Sequence, residues 1–343
     1  MCVCVCVCVN AFISFFIMKI QLSHKFEDII SVDNLLEAWR EFIKGKRRKK
    51  DMQKFSFRLI DNIFELYHDL RYHTYQHGLY QAFSIHDPKP RSIHKATVRD
   101  RLLHRAIYRI LYPFFARIFI ADSYSCQIGK GTHRALNRFK DFAYKVSKNN
   151  TKTCWILKCD IKKFFASIDQ GTLLGNLGQY IQDRDILWLL NRVIKSFSSI
   201  APGRGLPLGN LTSQLLVNIY MNEFDQFVKH RLKVKYYIRY ADDFVIFSDN
   251  YELLKRQIYP IRQFLKDKLN LELHPKKIFI KTFASGVDFL GWAHFPNHRI
   301  LRTSTKRRMI KRMKATGSES TRQSYLGLLR HGNTYKIRSL YFN

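Results

Sequence analysis

The sequence predicts a mixed α/β protein built on an antiparallel sheet, and three observations lead there. The run Tyr236-Tyr237-Ile238-Arg239-Tyr240-Ala241-Asp242-Asp243-Phe244-Val245-Ile246-Phe247-Ser248 sets two β-favouring stretches around a short acidic turn, as a hairpin does. A second β-favouring run, Trp155-Ile156-Leu157-Lys158-Cys159, ends on Asp160. Around them apolar residues recur at helical spacing, which makes the rest of the chain mostly helix.

The hairpin carries adjacent carboxylates at its tip. Neighbouring negative charges repel and avoid an apolar setting, so a divalent cation held against them explains the arrangement. An ordinary solvent-exposed Asp-Asp turn is the alternative.

Composition narrows the partners. With 343 residues, 46% of them hydrophobic, the chain can bury a substantial core in two or three subdomains. Its 59 Lys and Arg outnumber 27 Asp and Glu, a formal charge of +32. So basic a balance calls for a polyanion. Nucleic acid is favoured over an anionic membrane, because the basic residues interleave with Tyr, Phe and His and no long internal apolar span occurs. Of the 7 cysteines, Cys2, Cys4, Cys6 and Cys8 alternate with valine, while Cys126, Cys154 and Cys159 are scattered. That pattern fits a reducing, intracellular compartment and no disulfide scaffold. His73 and His77 have ligand-like spacing but no second ligand pair, and read as ordinary polar residues.

Residues 1–17 are read as a non-native or disordered extension with the natural start at Met18, because in-frame TG repeats encode Cys-Val and no basic n-region marks a signal peptide. From Ser31 to Leu70 the spacing of Leu35, Leu36, Trp39 and Ile43, then Leu59, Ile63, Leu66 and Leu70, predicts helices. The basic run Lys44 to Lys50 between them is either a solvated loop or a phosphate-contacting patch. In Asp87-Pro88-Lys89-Pro90-Arg91-Ser92-Ile93-His94 the prolines stiffen the approach to a strand, which makes Arg91 a triphosphate ligand. Arg101 to Ile120 is an amphipathic core helix on Leu102, Leu103, Ala106, Ile107, Ile110 and Leu111. Ser123 to His133, with Gly129-Lys130-Gly131, is a basic loop entering a helix and suited to a nucleic-acid backbone, although it lacks full phosphate-loop spacing.

Asp160 at a strand end can meet Asp242 and Asp243 from a neighbouring hairpin. Three carboxylates from two strands suit two magnesium ions and phosphoryl transfer to a hydroxyl. Phe165 would lie over the sugar of the incoming nucleotide. Gly205-Leu206-Pro207-Leu208-Gly209-Asn210-Leu211-Thr212-Ser213-Gln214 is a tight loop before a helix, with Asn210 or Thr212 as the N-cap, or a plain strand-to-helix connection.

Lys158 to Ile168, Gly205 to Gln214 and Tyr240-Ala241-Asp242-Asp243 together, in this order and spacing, resemble the motifs of bacterial reverse transcriptases. The resemblance implies a right-hand polymerase with mostly helical fingers, an antiparallel palm and a short helical thumb. It implies Asp160 and Asp242, with Asp243 and the backbone of Ile161, as ligands of two Mg2+ ions that Mn2+ can replace. Phe165 becomes the steric gate, Arg91 the triphosphate contact, and Leu208, Gly209 and Gln214 part of the nucleotide site. Lys276 would protonate pyrophosphate, with Lys277 adjacent, and Phe289-Leu290-Gly291-Trp292 would form the primer grip. The domains expected are the N-terminal region and fingers over 18–150, palm over 151–285, primer-grip hairpin over 286–298 and thumb over 299–343. The segment Arg299 to Asn343 reads as helices, with Lys306, Arg307, Arg308, Lys311 and Arg312 on the phosphates of a template-primer duplex.

Leu208 and Gln214 replace the Gln and Pro that most reverse transcriptases carry there, a pattern similar to that of diversity-generating retroelements. Tyr124 to Ala135 and Ser324 to Tyr335 resemble that group too. It implies error-prone copying of template RNA into cDNA from dNTPs, in a bacterial or phage-encoded cytoplasmic enzyme working with a small basic accessory protein. An apolar Leu208 beside the nucleotide weakens any discrimination that relies on a hydrogen bond there. An intron-encoded, retron or phage-defence reverse transcriptase is the alternative, and a non-catalytic RNA-binding remnant the remote one. No RNase H, His/Asn nuclease or zinc-finger pattern is visible in the sequence.

Overall fold

A computed structural model describes residues 19–85, 90–316 and 318–342. The expectations for residues 1–17 and for Asp87-Pro88-Lys89 lie outside these described residues. Helices α1 (Phe26–Ile30), α2 (Val32–Ile43), α3 (Lys50–Phe57) and α4 (Leu59–Arg71) open the chain, followed by strands β1 (Gln81–Ile85) and β2 (Arg91–Lys95). Then come α5 (Val98–Ala116), α6 (Thr132–Val146), β3 (Trp155–Asp160), α7 (Phe164–Ser167), α8 (Gln170–Gly178), α9 (Arg184–Lys195) and α10 (Leu211–Gln226). The hairpin β4 (Tyr237–Tyr240) and β5 (Asp243–Ser248) leads to α11 (Tyr251–Leu269), a 3-10 turn at Pro275–Lys277 and β6 (Phe279–Thr282). Three short strands, β7 (Val287–Phe289), β8 (Trp292–His294) and β9 (Arg299–Leu301), precede α12 (Thr303–Thr316), α13 (Glu319–Leu329) and α14 (Tyr335–Phe342).

The helices start where the sequence supplies caps. Ser31 accepts from the Asn34 amide ahead of α2, Thr97 from Asp100 ahead of α5, and Asn250 from Leu253 ahead of α11. The apolar spacing of the N-terminal region is realised as core: Leu35, Trp39 and Ile43 of α2 and Ile63, Leu66 and Leu70 of α4 are buried. His73 and His77 share no partner, His73 contacting Asp185 and His77 contacting His104 and Tyr80.

The central sheet has strand order β4-β5-β3-β6 and is antiparallel throughout. Its period-2 alternation divides the protein into two cores. Leu157, Cys159, Tyr237, Phe244 and Ile246 face a large core with α1, α2, α4, α5 and α8 to α11. Ile156, Ile238, Val245 and Phe247 face a smaller one built from α6, β7 to β9 and the C-terminal helices. Each such side chain contributes about 1.5–3 kcal/mol of hydrophobic stabilisation. One sheet thus supports helices on both faces while its β3–β5 end stays free to carry polar groups.

Three expectations need correction, and one strand was not expected. Asp243 is not at the hairpin tip but is the first residue of β5, because the turn consists of Ala241 and Asp242 alone. The segment after Arg299 is not all helix: Arg299–Leu301 pairs with β8, so the expected hairpin of 286–298 is part of a three-stranded sheet. Asn210 occupies the N-cap position of α10 without capping it, and Thr212 already lies inside that helix. Strand β1, with all residues exposed, gave no alternating apolar signal and was not anticipated.

Candidate active site

β3 and β5 pair so that Asp160 stands directly opposite Asp243. Asp242 sits beside them in the turn, and its carbonyl accepts from the Ile161 amide at 3.2 Å. The turn is tight enough to force Ala241 to φ +56°, a left-handed conformation that costs a non-glycine residue energy. What holds it is a fully buried ion pair. The Arg239 guanidinium reaches Asp225 of α10 at 2.6 and 2.7 Å, donates to the Ala241 carbonyl at 3.1 Å and to Ser123 Oγ at 3.0 Å. Tyr237 Oη donates to the same Asp225 carboxylate at 2.8 Å.

The electrostatics of the carboxylates follow from crowding in a half-buried place. Burial, then the charge of Asp160, pushes the Asp242 carboxyl above its ordinary range. Burial pushes Asp243 up to about 6, against the opposing pull of Lys158. Two ammonium groups answer the negative charge: Lys277 Nζ is 2.8 Å from Asp160 Oδ1, and Lys158 Nζ is 3.1 Å from Asp243 Oδ2. The sequence reading nominated Lys276, but the 3-10 turn leaves Lys276 exposed and aims Lys277 at Asp160. Lys158 was missed, since a lysine inside a β run looks like an ordinary solvent-facing position.

These carboxylates suit a divalent cation. Asp243 Oδ1 is buried with no hydrogen-bond partner, and like charges this close favour a shared positive ion. With Asp160 and Asp243 drawn onto the two lysines, no three His, Cys, Asp or Glu side chains among the described residues converge on one metal position.

The expected nucleotide-binding residues lie around this centre. Arg91 opens β2, is exposed, and its charge is felt by Asp242. Phe165, in α7, is half-buried, and its carbonyl accepts from the Leu206 amide at 2.9 Å. The Leu208 carbonyl accepts from the His94 amide at 3.0 Å, which ties the loop to β2. Gly209 has φ +103°, and a Cβ there would come within 2.7 Å of Ile93 Cγ2. Gln214 is half-buried in the first turn of α10.

Phe289-Leu290-Gly291-Trp292 is a hairpin, with Phe289 and Trp292 paired and buried and with Leu290 and Gly291 both at positive φ. Lys158 joins it to the carboxylates, donating to the Asp288 carbonyl at 2.7 Å. Of the basic residues on α12, Lys306, Arg307, Lys311 and Arg312 are exposed and Arg308 is half-buried. They belong to the smaller core's side of the protein. No helix among the described residues is long and apolar enough to cross a membrane.

The chain is 26% identical to Protein YkfC of Escherichia coli (strain K12), in a match covering 61% of this chain and 62% of YkfC. It is 24% identical to Group II intron-encoded protein LtrA of Lactococcus lactis subsp. cremoris, covering 66% of this chain and 47% of LtrA. The chain therefore spans less than two thirds of either relative. Among solved structures, telomerase from Candida albicans in complex with the TWJ fragment of telomeric RNA superposes with a TM-score of 0.50 at 13% identity, over 67% of this chain and 46% of that one. That likeness concerns the fold, a right-hand polymerase. Residues 85–294 match the family described as "Reverse transcriptase (RNA-dependent DNA polymerase)", and they hold the three carboxylates, the Gly205 to Gln214 loop and the Phe289–Trp292 hairpin, so the chain belongs to the reverse transcriptase family.

Proposed function

We propose that the protein is an RNA-directed DNA polymerase, copying a template RNA into cDNA from dNTPs. The observation that carries this is the register of Asp160 opposite Asp243, with Asp242 in the adjoining turn, inside the segment that matches the family. Asp160, Asp242 and Asp243, with the Ile161 backbone, would hold two Mg2+ ions, Mn2+ serving in their place. Such ions, when bound, would lower the pKa of the primer 3′-hydroxyl and neutralise charge on the leaving pyrophosphate.

The chain's own groups do the rest. Arg91 contacts the triphosphate from the start of β2. Phe165 lies against the sugar and excludes a 2′-hydroxyl. Leu208, Gly209 and Gln214 border the nascent base pair. Lys277, the ammonium beside Asp160, takes the proton-donor role first assigned to Lys276. The hairpin Phe289–Trp292 places the primer terminus, and Lys306, Arg307, Arg308, Lys311 and Arg312 run along duplex phosphates. Residues 18–150 would form the N-terminal region and fingers, 151–285 the palm, and 286 onward the primer grip and thumb, with β9 belonging to the grip.

Within the family we place the chain with diversity-generating retroelements, on Leu208 and Gln214 in the loop and on Ser324 to Tyr335 near the C-terminus. That reading includes errors at template adenines, a small basic accessory protein and a bacterial or phage-encoded, cytoplasmic setting. A group II intron-type reverse transcriptase is the second reading, favoured by the similarity to LtrA.

The test is primer extension on an RNA template with Mg2+, comparing wild type with Asp242→Ala and sequencing the cDNA. Product lost in the variant, with errors concentrated at template adenines, supports both levels. Faithful cDNA keeps the polymerase and removes the retroelement assignment. No product from wild type, with cognate RNA and accessory protein also supplied, removes the polymerase.

A further inference from the structure

We infer that Asn210 is a positioning residue for nucleotide selection: it clamps strand β2, which carries Arg91, to the loop that presents Leu208, so that the triphosphate contact and the residue beside the nascent base pair meet the incoming nucleotide as one unit. The inference rests on the polymerase reading and adds a residue and a device to it.

An asparagine just before a helix ordinarily caps it, with its side-chain oxygen accepting an amide of the first turn. Asn210 stands at that position ahead of α10 and makes no such bond. Its Nδ2 instead donates to the His94 carbonyl at 2.8 Å. The His94 amide donates to the Leu208 carbonyl at 3.0 Å. Both backbone groups of His94 are therefore engaged by the loop, as in a ladder between strands, although residues 208–210 form no strand. The side chain of Asn210 is 2% exposed and its Oδ1 has no partner, so the residue gives up the cap and buries an unsatisfied oxygen to keep this contact.

The neighbours fit the same purpose. Gly209 lies so close to β2 that a Cβ would reach 2.7 Å from Ile93 Cγ2, which seats the loop directly on the strand. The other end of the loop is pinned elsewhere, Gly205 donating to the Ile168 carbonyl at 2.8 Å and Leu206 to the Phe165 carbonyl at 2.9 Å. Residues 205–210 thus span from the Phe165 segment to the strand of Arg91. The hairpin β1–β2 needs such an anchor: β1 is exposed along its whole length, Arg91 and Ser92 are exposed, and an isolated two-stranded hairpin is marginal in water. Its ties elsewhere among the described residues include the Lys95–Asp51 ion pair at 2.8 Å and the edge contact of His94 with Phe197 at 4.6 Å, both at the β2 end nearest α5.

Loosening the clamp should free Leu208 and Arg91 from one another without touching a carboxylate. The expected signature is a KM for dNTPs raised about fivefold, the equivalent of one lost hydrogen bond, with kcat within about twofold. The ratio of wrong to right insertions shifts at the same time.

The decisive comparison is among Asn210→Ala, Asn210→Ser and Asn210→Asp in single-nucleotide incorporation with right and wrong dNTPs. Aspartate caps helices as well as asparagine does and, ionised, has no proton for the His94 carbonyl, while serine also caps but its hydroxyl ends one bond short of the place where the Asn210 amide nitrogen donates. All three variants are expected to show the raised KM and the altered error ratio. Wild-type KM and error ratio in the serine or aspartate variant overturn the inference, because the residue then only caps α10. Hydrogen exchange over residues 90–96 reads the clamp without catalysis, so it stands apart from the polymerase reading. Faster exchange in Asn210→Ala is expected, and unchanged protection overturns the clamp even if wild type proves inactive on every template.

Discussion

Arg239→Met tests the scaffold under the catalytic turn. Arg239 and Asp225 are both wholly buried, joined at 2.6 and 2.7 Å, and the same guanidinium holds Ala241 and Ser123. Methionine fills much of the volume but leaves the Asp225 carboxylate buried with Tyr237 Oη as its remaining side-chain donor at 2.8 Å. Removing one partner of a buried pair costs about 3–5 kcal/mol. Against the roughly 5–15 kcal/mol that hold a typical domain folded, that is a large fraction. Urea unfolding followed by far-UV circular dichroism measures it. Arg239→Met with Asp225→Leu removes the stranded charge too and should recover about half the loss, since apolar replacement of both partners is often nearly neutral while the Ala241 carbonyl and Tyr237 Oη lose their partners. Primer extension should remain low in the double variant, because nothing then holds the Ala241 carbonyl at its left-handed φ. A single variant within about 1 kcal/mol of wild type refutes the energetic reasoning. A double variant with wild-type extension refutes the link from ion pair to turn.

Three further expectations follow from the site and its surroundings. Lys277→Ala should lower kcat by about 100-fold and Lys276→Ala by less than about threefold, the scale of general-acid catalysis; the reverse order in a steady-state assay would return the role to Lys276. Burial, then the Arg299 charge, holds His294 down to about 3, against an ordinary value of 6.5. The folded state therefore binds its proton less readily than the unfolded chain, and the stability it contributes is whole above 6.5 and is lost as pH falls toward 3. Lowering the pH to about 5 should cost about 2 kcal/mol that His294→Leu does not lose, and parallel pH profiles in thermal melts would contradict this. Lys306→Ala and Lys311→Ala should each reduce the slope of log K against log salt for a template-primer duplex by about 1, and an unchanged slope takes α12 off the phosphates.

Much of the site was legible because its signals are local. β-Favouring runs at Trp155–Asp160 and Tyr237–Ser248 mark strands, and the acidic turn inside the second puts Asp242 and Asp243 where Asp160 at a strand end can meet them. The Phe289–Trp292 hairpin was expected from the resemblance to reverse transcriptases, and the pairing of Phe289 with Trp292 forms it. Local signals failed where one residue type serves two purposes. Asn210 looks like a cap from sequence and proves to be bonded to a strand far away in the chain. Lys276 and Lys277 are interchangeable on paper, and only the phase of the 3-10 turn selects Lys277.

The sequence by itself determined the main strands and helices, the carboxylates and the polycationic character, because residue type and spacing encode period, turn and charge directly. The tertiary structure alone decided which charges meet. Arg239 finds Asp225 across a helix and a strand, Lys158 finds Asp243 and the grip strand, and β9 exists only because β8 is beside it. Such pairings depend on where separate elements come to rest, a matter of packing the whole chain around two cores, and no window of neighbouring residues contains that information.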